Sequence, residues 1–186
     1  MNKFNQIFQK NECDKAVHNY GTLYELISTF KIPESIFEIG FMHGASMMSW
    51  SELFPNAELL ACEIEKRHWK QPENNFNLIL DDFRNVQLTH NYDWIIDDGS
   101  HTDKDVLEAL QKFWNFVTPG GWYIIEDVHA GFWDNYNTDN HYYGKWIDHV
   151  NRFIKICTHN EGNESTPTQT GFVIQQKSII AIQKPL

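Results

Sequence analysis

Residues 92–106, YDWIIDDGSHTDKDV, run from an apolar stretch directly into Asp97, Asp98 and His101. Carboxylates next to an imidazole can bind a metal ion or move a proton. A second acidic pair, Glu126-Asp127, closes GWYIIED (121–127) in the same way. If the two runs are adjacent strands, about 4.8 Å apart, Asp98 converges with Glu126 and Asp127. Three crowded carboxylates repel unless a cation joins them, and oxygen-only ligands favour magnesium, calcium or manganese over zinc. The same residues also have ordinary readings. Asp97 or Asp127 could cap the backbone that follows, and this chain has nine histidines, most of which must do no chemistry.

Such a cluster needs elements to hold it. Short apolar or β-branched runs recur at 35–40 (SIFEIG), 57–64 (AELLACEI), 76–82 (FNLILDD), 92–98 and 121–127. Continuous apolar runs of this kind suit parallel strands covered on both faces. Helical patterns separate several of them: Ala45–Phe54, and Thr102–Val117 with a stop at Pro119-Gly120-Gly121. Another helical pattern covers Asp14–Phe30, within an N-terminal helical segment at 1–31. FVIQQKSIIAIQK at the end reads as an antiparallel hairpin. The expected fold is a Rossmann-like, doubly wound, mostly parallel seven-stranded α/β sheet, a single domain over 1–186 with its core at 32–186.

Ligands of such sheets bind at the carboxyl ends of the strands, so the residues there are the candidates for a site. The first strand ends in Glu38-Ile-Gly40-Phe-Met-His-Gly44-Ala-Ser46. Gly40 and Gly44 let a ligand approach the backbone at a helix N-terminus, although glycines at this spacing also serve plain strand-to-helix packing. Met42 stands where a dinucleotide fingerprint requires glycine, which disfavours a nicotinamide cofactor. Glu63 ends the second strand, where a carboxylate can accept both hydroxyls of a ribose; it could equally be a solvated acid. Asp81-Asp82 ends the third and is a candidate partner for an adenine amino group.

The series Glu38-x-Gly40-x-x-x-Gly44, Glu63, Asp81, each closing a successive strand, resembles the class I S-adenosylmethionine-dependent methyltransferase core. Three further motifs are similar to the branch of macrolide-sugar O-methyltransferases and cephalosporin-hydroxylase-like proteins. They are Asp14-Lys15-x-x-His18-x-Tyr20-x-x-x-Tyr24, Asp97-Asp98-Gly99-Ser100-His101 and the run from Pro119 to Asp127. The resemblance implies that S-adenosylmethionine is held by Glu38, Gly40, Gly44 and Ser46 on its methionine part, by Glu63 on the ribose and by Asp81 on the adenine side. Asp97 joins this cofactor-binding set. It implies a magnesium or other hard divalent ion on Asp98, Glu126 and Asp127, and His101 as catalytic base working with Asp98.

The implied reaction is attack of a hydroxyl on the cofactor's methyl group, with a vicinal diol such as a sugar or glycosylated metabolite as acceptor. The N-terminal motif departs from the family at Glu12-Cys13, which replaces a small residue and threonine. Two features bear on the pocket. The connection EKRHWKQPENN is short for a crossover helix, leaving the adenine side open. HAGFWDNYNTDNHYYGKW after Asp127 offers rings on which a sugar could stack. Larger relatives carry extra domains, so either the acceptor is held elsewhere or a second subunit of a homo-oligomer completes the pocket. The rivals are a non-catalytic cofactor- and metal-binding module and a metal-dependent hydrolase. The latter leaves the Glu38-to-Asp81 series without a purpose.

Composition narrows the partners. Fifteen Lys and Arg against 25 Asp and Glu repel phosphate backbones, which disfavours nucleic acid. Cys13, Cys62 and Cys157 form no metal-binding pair and no disulfide framework. No stretch reaches the ~18 apolar residues of a membrane span. The expectation is a cytoplasmic protein acting on a small molecule.

Overall fold

The computed structural model describes residues 1–65, 76–132 and 171–186. Seven strands form one sheet: β1 Ser35–Ile39, β2 Glu58–Glu63, β3 Phe76–Leu80, β4 Tyr92–Asp97, β5 Val117–Ile125, β6 Val173–Gln176 and β7 Ile179–Gln183. Their order is β3-β2-β1-β4-β5-β7-β6. Pairings from β3 to β5 are parallel, and β7 runs antiparallel to both β5 and β6. The expected sheet and its terminal hairpin are thus both present. Strand order reverses between β1 and β4, and their carboxyl ends open a crevice at that switch point.

Both faces of the sheet are covered, which is why β4 is buried along its length and carries Trp94, Ile95 and Ile96 at its centre. On one face lie α1 Lys3–Lys10, α2 Gly21–Ser28 and α3 Ala45–Leu53. Their Phe8, Tyr24 and Trp50 pack with Trp94 and Ile96 of β4. The rings meet mostly edge to face, with Phe8 and Trp50 centroids 5.1 Å apart and Trp50 and Trp94 5.9 Å apart. On the other face α4, Asp103–Phe113, sets Val106, Leu110 and Phe113 against Phe37, Ile95 and Tyr123. Thr102 caps α4 by accepting a hydrogen bond from Asp105 N, and Asp103 and Asp105 suit the positive end of the helix.

Two expected boundaries move. The helix expected over Asp14–Phe30 is broken into a 3-10 turn at Asp14–Ala16 and α2, while α1 precedes both. Asn19 takes φ +59, and the Asn5 side chain of α1 bonds Asn19 Oδ1 and accepts from Gly21 N. That break leaves Val17 exposed and turns Lys15 inward. The Pro119-Gly120-Gly121 stop lies inside β5, because α4 ends early and a 3-10 turn at Trp114–Phe116 leads into the strand. Tyr92 pairs with Val117 and Trp94 with Trp122, so β5 bulges there, and Gly120 at φ +74 takes up the extra residues. The 66–75 connection and the aromatic segment after His129 fall largely outside the described residues.

Candidate active site

Gly40 follows β1 with φ +93, and a Cβ there would lie 2.1 Å from the Asp98 carbonyl oxygen. Glycine at this position lets the β1 and β4 ends close on each other. Gly44, at φ +78, starts α3 against the Phe41 ring. Both glycines therefore serve the turn itself, and Ser46 sits buried one residue into α3.

Beyond these ends lies a cavity of about 960 Å³, walled by Gly40, Glu63, Asp81, Asp97, Ser100 and His101, among others. Glu63 is already engaged. Its Oε2 accepts from Phe41 N and Met42 N, and its Oε1 from Ile64 N and Glu65 N. Burial pushes this carboxyl up, but the four backbone donors outweigh it and hold it below the ordinary range. Asp81 Oδ1 accepts from Asp82 N and Asn85 Nδ2. Asp97 turns to the α4 face, and its Oδ2 is buried without a hydrogen-bond partner. Burial, added to by the nearby Asp98 charge, pushes Asp97 up to about 8.

The other face of the strand ends holds a second set of acids. Glu38, Asp98 and Glu126 meet around the Lys15 ammonium at 3.2, 2.5 and 2.8 Å. Burial pulls the Lys15 pKa down, but the Asp98, Glu126 and Glu38 charges hold it well above lysine's ordinary value. Burial in turn pushes both Glu38 and Glu126 up. Trp50 Nε1 donates to Glu38 Oε2 at 3.0 Å, and the Tyr24 hydroxyl donates to Glu126 Oε1.

Asp127 turns away from this buried group. Its Oδ1 accepts from the Tyr20 hydroxyl at 2.5 Å, and its Oδ2 is 3.7 Å from His101 Nε2. His101 Nε2 is 3.9 Å from Asp98 Oδ1. One ligand atom from each of Asp98, His101 and Asp127 lies within 4.8 Å of the others, all at the cavity wall. Glu126 stands apart from the trio expected for a metal ion, because Lys15 and Tyr24 engage its two oxygens.

Backbone strain concentrates here. Met42, His101 and Asp127 have φ of +47, +58 and +52, each a left-handed conformation that side chains disfavour. The sequence names Asp98, Glu126 and Asp127 for a metal ion, whereas the structure gathers Asp98, His101 and Asp127 and sets Lys15 against Glu126. The signal for Lys15 was Asp14-Lys15 itself, a lysine in a motif whose break from helix turns it inward.

Residues 37–128, from β1 to just past Asp127, match a family described as a methyltransferase domain. Demethylmacrocin O-methyltransferase of Streptomyces fradiae is 26% identical over 111 residues, 54% of this chain and 28% of that protein. Mycinamicin VI 2''-O-methyltransferase of Micromonospora griseorubida is 29% identical over 109 residues, 52% of this chain and 27% of that protein. The match thus spans under a third of the length of each of these two relatives. Among solved structures, the MycE methyltransferase in complex with Mg, SAH and mycinamycin VI matches with TM-score 0.80 and 20% identity, over 99% of this chain and 54% of MycE. A putative caffeoyl-CoA O-methyltransferase from Staphylococcus aureus matches with TM-score 0.59 and 19% identity, over 87% and 80% of the two chains. These likenesses establish the fold.

Proposed function

We propose that this chain, which belongs to the class I S-adenosylmethionine-dependent methyltransferases by its fold and its methyltransferase domain at 37–128, methylates a hydroxyl of a small acceptor. The acceptor class is a sugar or glycosylated metabolite, with a hard divalent ion assisting. One observation carries the reading: Asp98, His101 and Asp127 bring their ligand atoms together at the wall of the strand-end cavity.

The residues fit both absent groups. The cavity, about 960 Å³, has the size of a site for a nucleoside-bearing ligand. Glu63 and Asp81 would face the ribose and adenine side, and Gly40, Gly44 and Ser46 the methionine side; Glu38, expected with them, is instead buried with its oxygens at Lys15 and Trp50, away from the cavity wall. Of these, Gly40 and Gly44 contribute through the shape of the turn. Two carboxylates beside an imidazole fit a magnesium or manganese ion. MycE, solved with Mg and SAH, shares the fold.

S-adenosylmethionine, when bound, supplies a methyl group on an already activated sulfonium. A divalent ion, when bound, lowers the pKa of a hydroxyl it contacts. The chain's own contribution is alignment and proton removal. Asp98 and Asp127 would hold the ion. His101 Nε2 would take the hydroxyl proton, since the same nitrogen cannot bind an ion and accept a proton at once.

The test is incubation with methyl-labelled S-adenosylmethionine, Mg2+ and a panel of sugars and glycosylated compounds. Label transfer that depends on Asp127, lost in Asp127→Asn, is the expected result. Cofactor binding with no transfer to any acceptor would favour the non-catalytic module.

A further inference from the structure

Arg84 stands where the adenine-side wall of the cavity, residues 81–84, meets α4. We propose that Arg84 is a positioning residue that ties this wall to the loop carrying His101. The cofactor's adenine end and the base are thereby held in one register. The inference rests on the methyltransferase reading for what the two walls hold.

The chain path creates the need for a tie. Parallel strands are usually joined by a crossover that contains a helix, yet residues 81–91, between β3 and β4, form none. Val86 and Leu88 anchor the later part of this connection in the core, whereas residues 81–85 are exposed or half-buried. Their hold on the rest of the molecule is polar. Arg84 Nε donates to Glu108 Oε2 at 2.7 Å and Nη1 to the two oxygens of Asp82 at 3.3 and 3.2 Å, while Nη2 donates to Asp105 Oδ1. The Arg84 carbonyl oxygen accepts from Lys112 Nζ at 2.6 Å, and the guanidinium lies 4.5 Å from the centre of the Phe83 ring. Asp105, Glu108 and Lys112 all belong to α4.

The tie continues into the loop of the base. Asp105 uses its other oxygen, Oδ2, to accept from the Ser100 hydroxyl at 2.6 Å, and Ser100 Oγ accepts from Thr102 N at 3.3 Å. Ser100 and Thr102 flank His101, whose left-handed backbone persists only where its surroundings hold it. Phe83, Arg84, Ser100, His101 and Asp105 line the same cavity. A guanidinium suits this junction, because its donors form a rigid planar fork where an ammonium is a point charge. The Arg84 side chain is 41% exposed, so a single pair here would contribute little. Three carboxylates sharing one cation make a network, which holds better than isolated pairs.

Nuclear magnetic resonance of the ligand-free full chain with isotope-labelled histidine tests this at a single pH, with circular dichroism reporting the fold of each variant. The ring signals of His101 and of His90, at the opposite end of the sheet, are assigned by their loss in His101→Gln and His90→Gln. Arg84→Met should move the His101 signal and leave that of His90 in place. Arg84→Met/Ser100→Ala should move it no further than Ser100→Ala alone, because both changes break one chain of contacts. Calorimetry with S-adenosylhomocysteine reads the adenine side, where Arg84→Met should weaken binding by about twofold to fivefold, the range of a partly exposed ion pair. A folded wild type that binds no S-adenosylhomocysteine would remove the methyltransferase reading, while the ligand-free His101 signal still decides the tie. A wild-type His101 signal in folded Arg84→Met, a shift shared with His90, or additive shifts in the double variant overturn it. If Arg84→Met fails to fold, Arg84→Lys, which keeps the charge and loses the fork, is judged by the same signals.

Discussion

His101 is held in a left-handed backbone with its Nε2 toward two carboxylates, a conformation that elementary sterics oppose. Its assignment as the base makes a separable prediction. His101→Gln should slow methyl transfer by about 10²- to 10⁴-fold, the usual worth of a general base, while leaving S-adenosylhomocysteine affinity unchanged in calorimetry. Equal loss of binding and rate would make His101 a binding residue instead. Gly40 has a different job. A Cβ there meets the Asp98 carbonyl oxygen at 2.1 Å on a backbone at φ +93. Gly40→Ala should therefore cost more than about 1–2 kcal/mol in urea denaturation from the left-handed backbone alone. An unchanged midpoint would show that the β1 and β4 ends can part. The approach of Asp98 to Glu126 and Asp127 was legible in the sequence because acids that end neighbouring strands converge; the place of His101 beside Asp98 and Asp127 was not part of that argument. The Lys15 contacts were not legible, since they depend on a break at Asn19 that periodicity hides.

At the scale of elements, α1 and α2 brace the face of the sheet that holds Lys15. Phe8 of α1 is fully buried, with its ring against Tyr24 and Trp50. Phe8→Ala should lower unfolding free energy by about 3–5 kcal/mol, read from urea denaturation; a loss below about 1 kcal/mol would mean that α1 is dispensable to the core. At the opposite end of the sheet, Asp93 ties several elements together. It pairs with Lys31 at 2.6 Å and accepts from Glu34 N before β1 and from Thr118 of β5. Burial pushes this carboxyl up, but those partners outweigh it and hold it below the ordinary range. A carboxyl lowered in the folded state binds its proton more weakly there than when unfolded. Its contribution is thus present above the unfolded value of about 3.9 and is lost as pH falls through the folded one. Stability measured between pH 6 and pH 2 should therefore fall less steeply in Asp93→Asn than in wild type. Identical acid limbs would show that the Lys31 pair contributes nothing.

Strands were the most legible elements, because runs such as WII and YII buried on both faces carry their own pattern. Boundaries were less so. Nothing in the local pattern of Pro119-Gly120-Gly121 distinguishes a helix stop from a bulge inside β5; the pairing with β4 decides that. The N-terminal helix α1 is short and polar outside Phe4, Ile7 and Phe8, and only its packing on α2 and α3 makes it necessary.

For the whole molecule, the switch point between β1 and β4 gathers a cavity, a strained backbone and two sets of acids on opposite sides of the strand ends. No helix among the described residues is long and apolar enough to cross a membrane. The net charge of -10 adds to the acidic character of the strand ends, which favours cationic or neutral ligands over phosphates. Every role proposed for the site requires that the strand-end cavity receive S-adenosylmethionine. Calorimetric titration of the purified chain with S-adenosylhomocysteine, with and without Mg2+, measures that binding. Saturable binding at one site per chain is the predicted result. No heat of binding under either condition, from protein shown to be folded by circular dichroism, would contradict it.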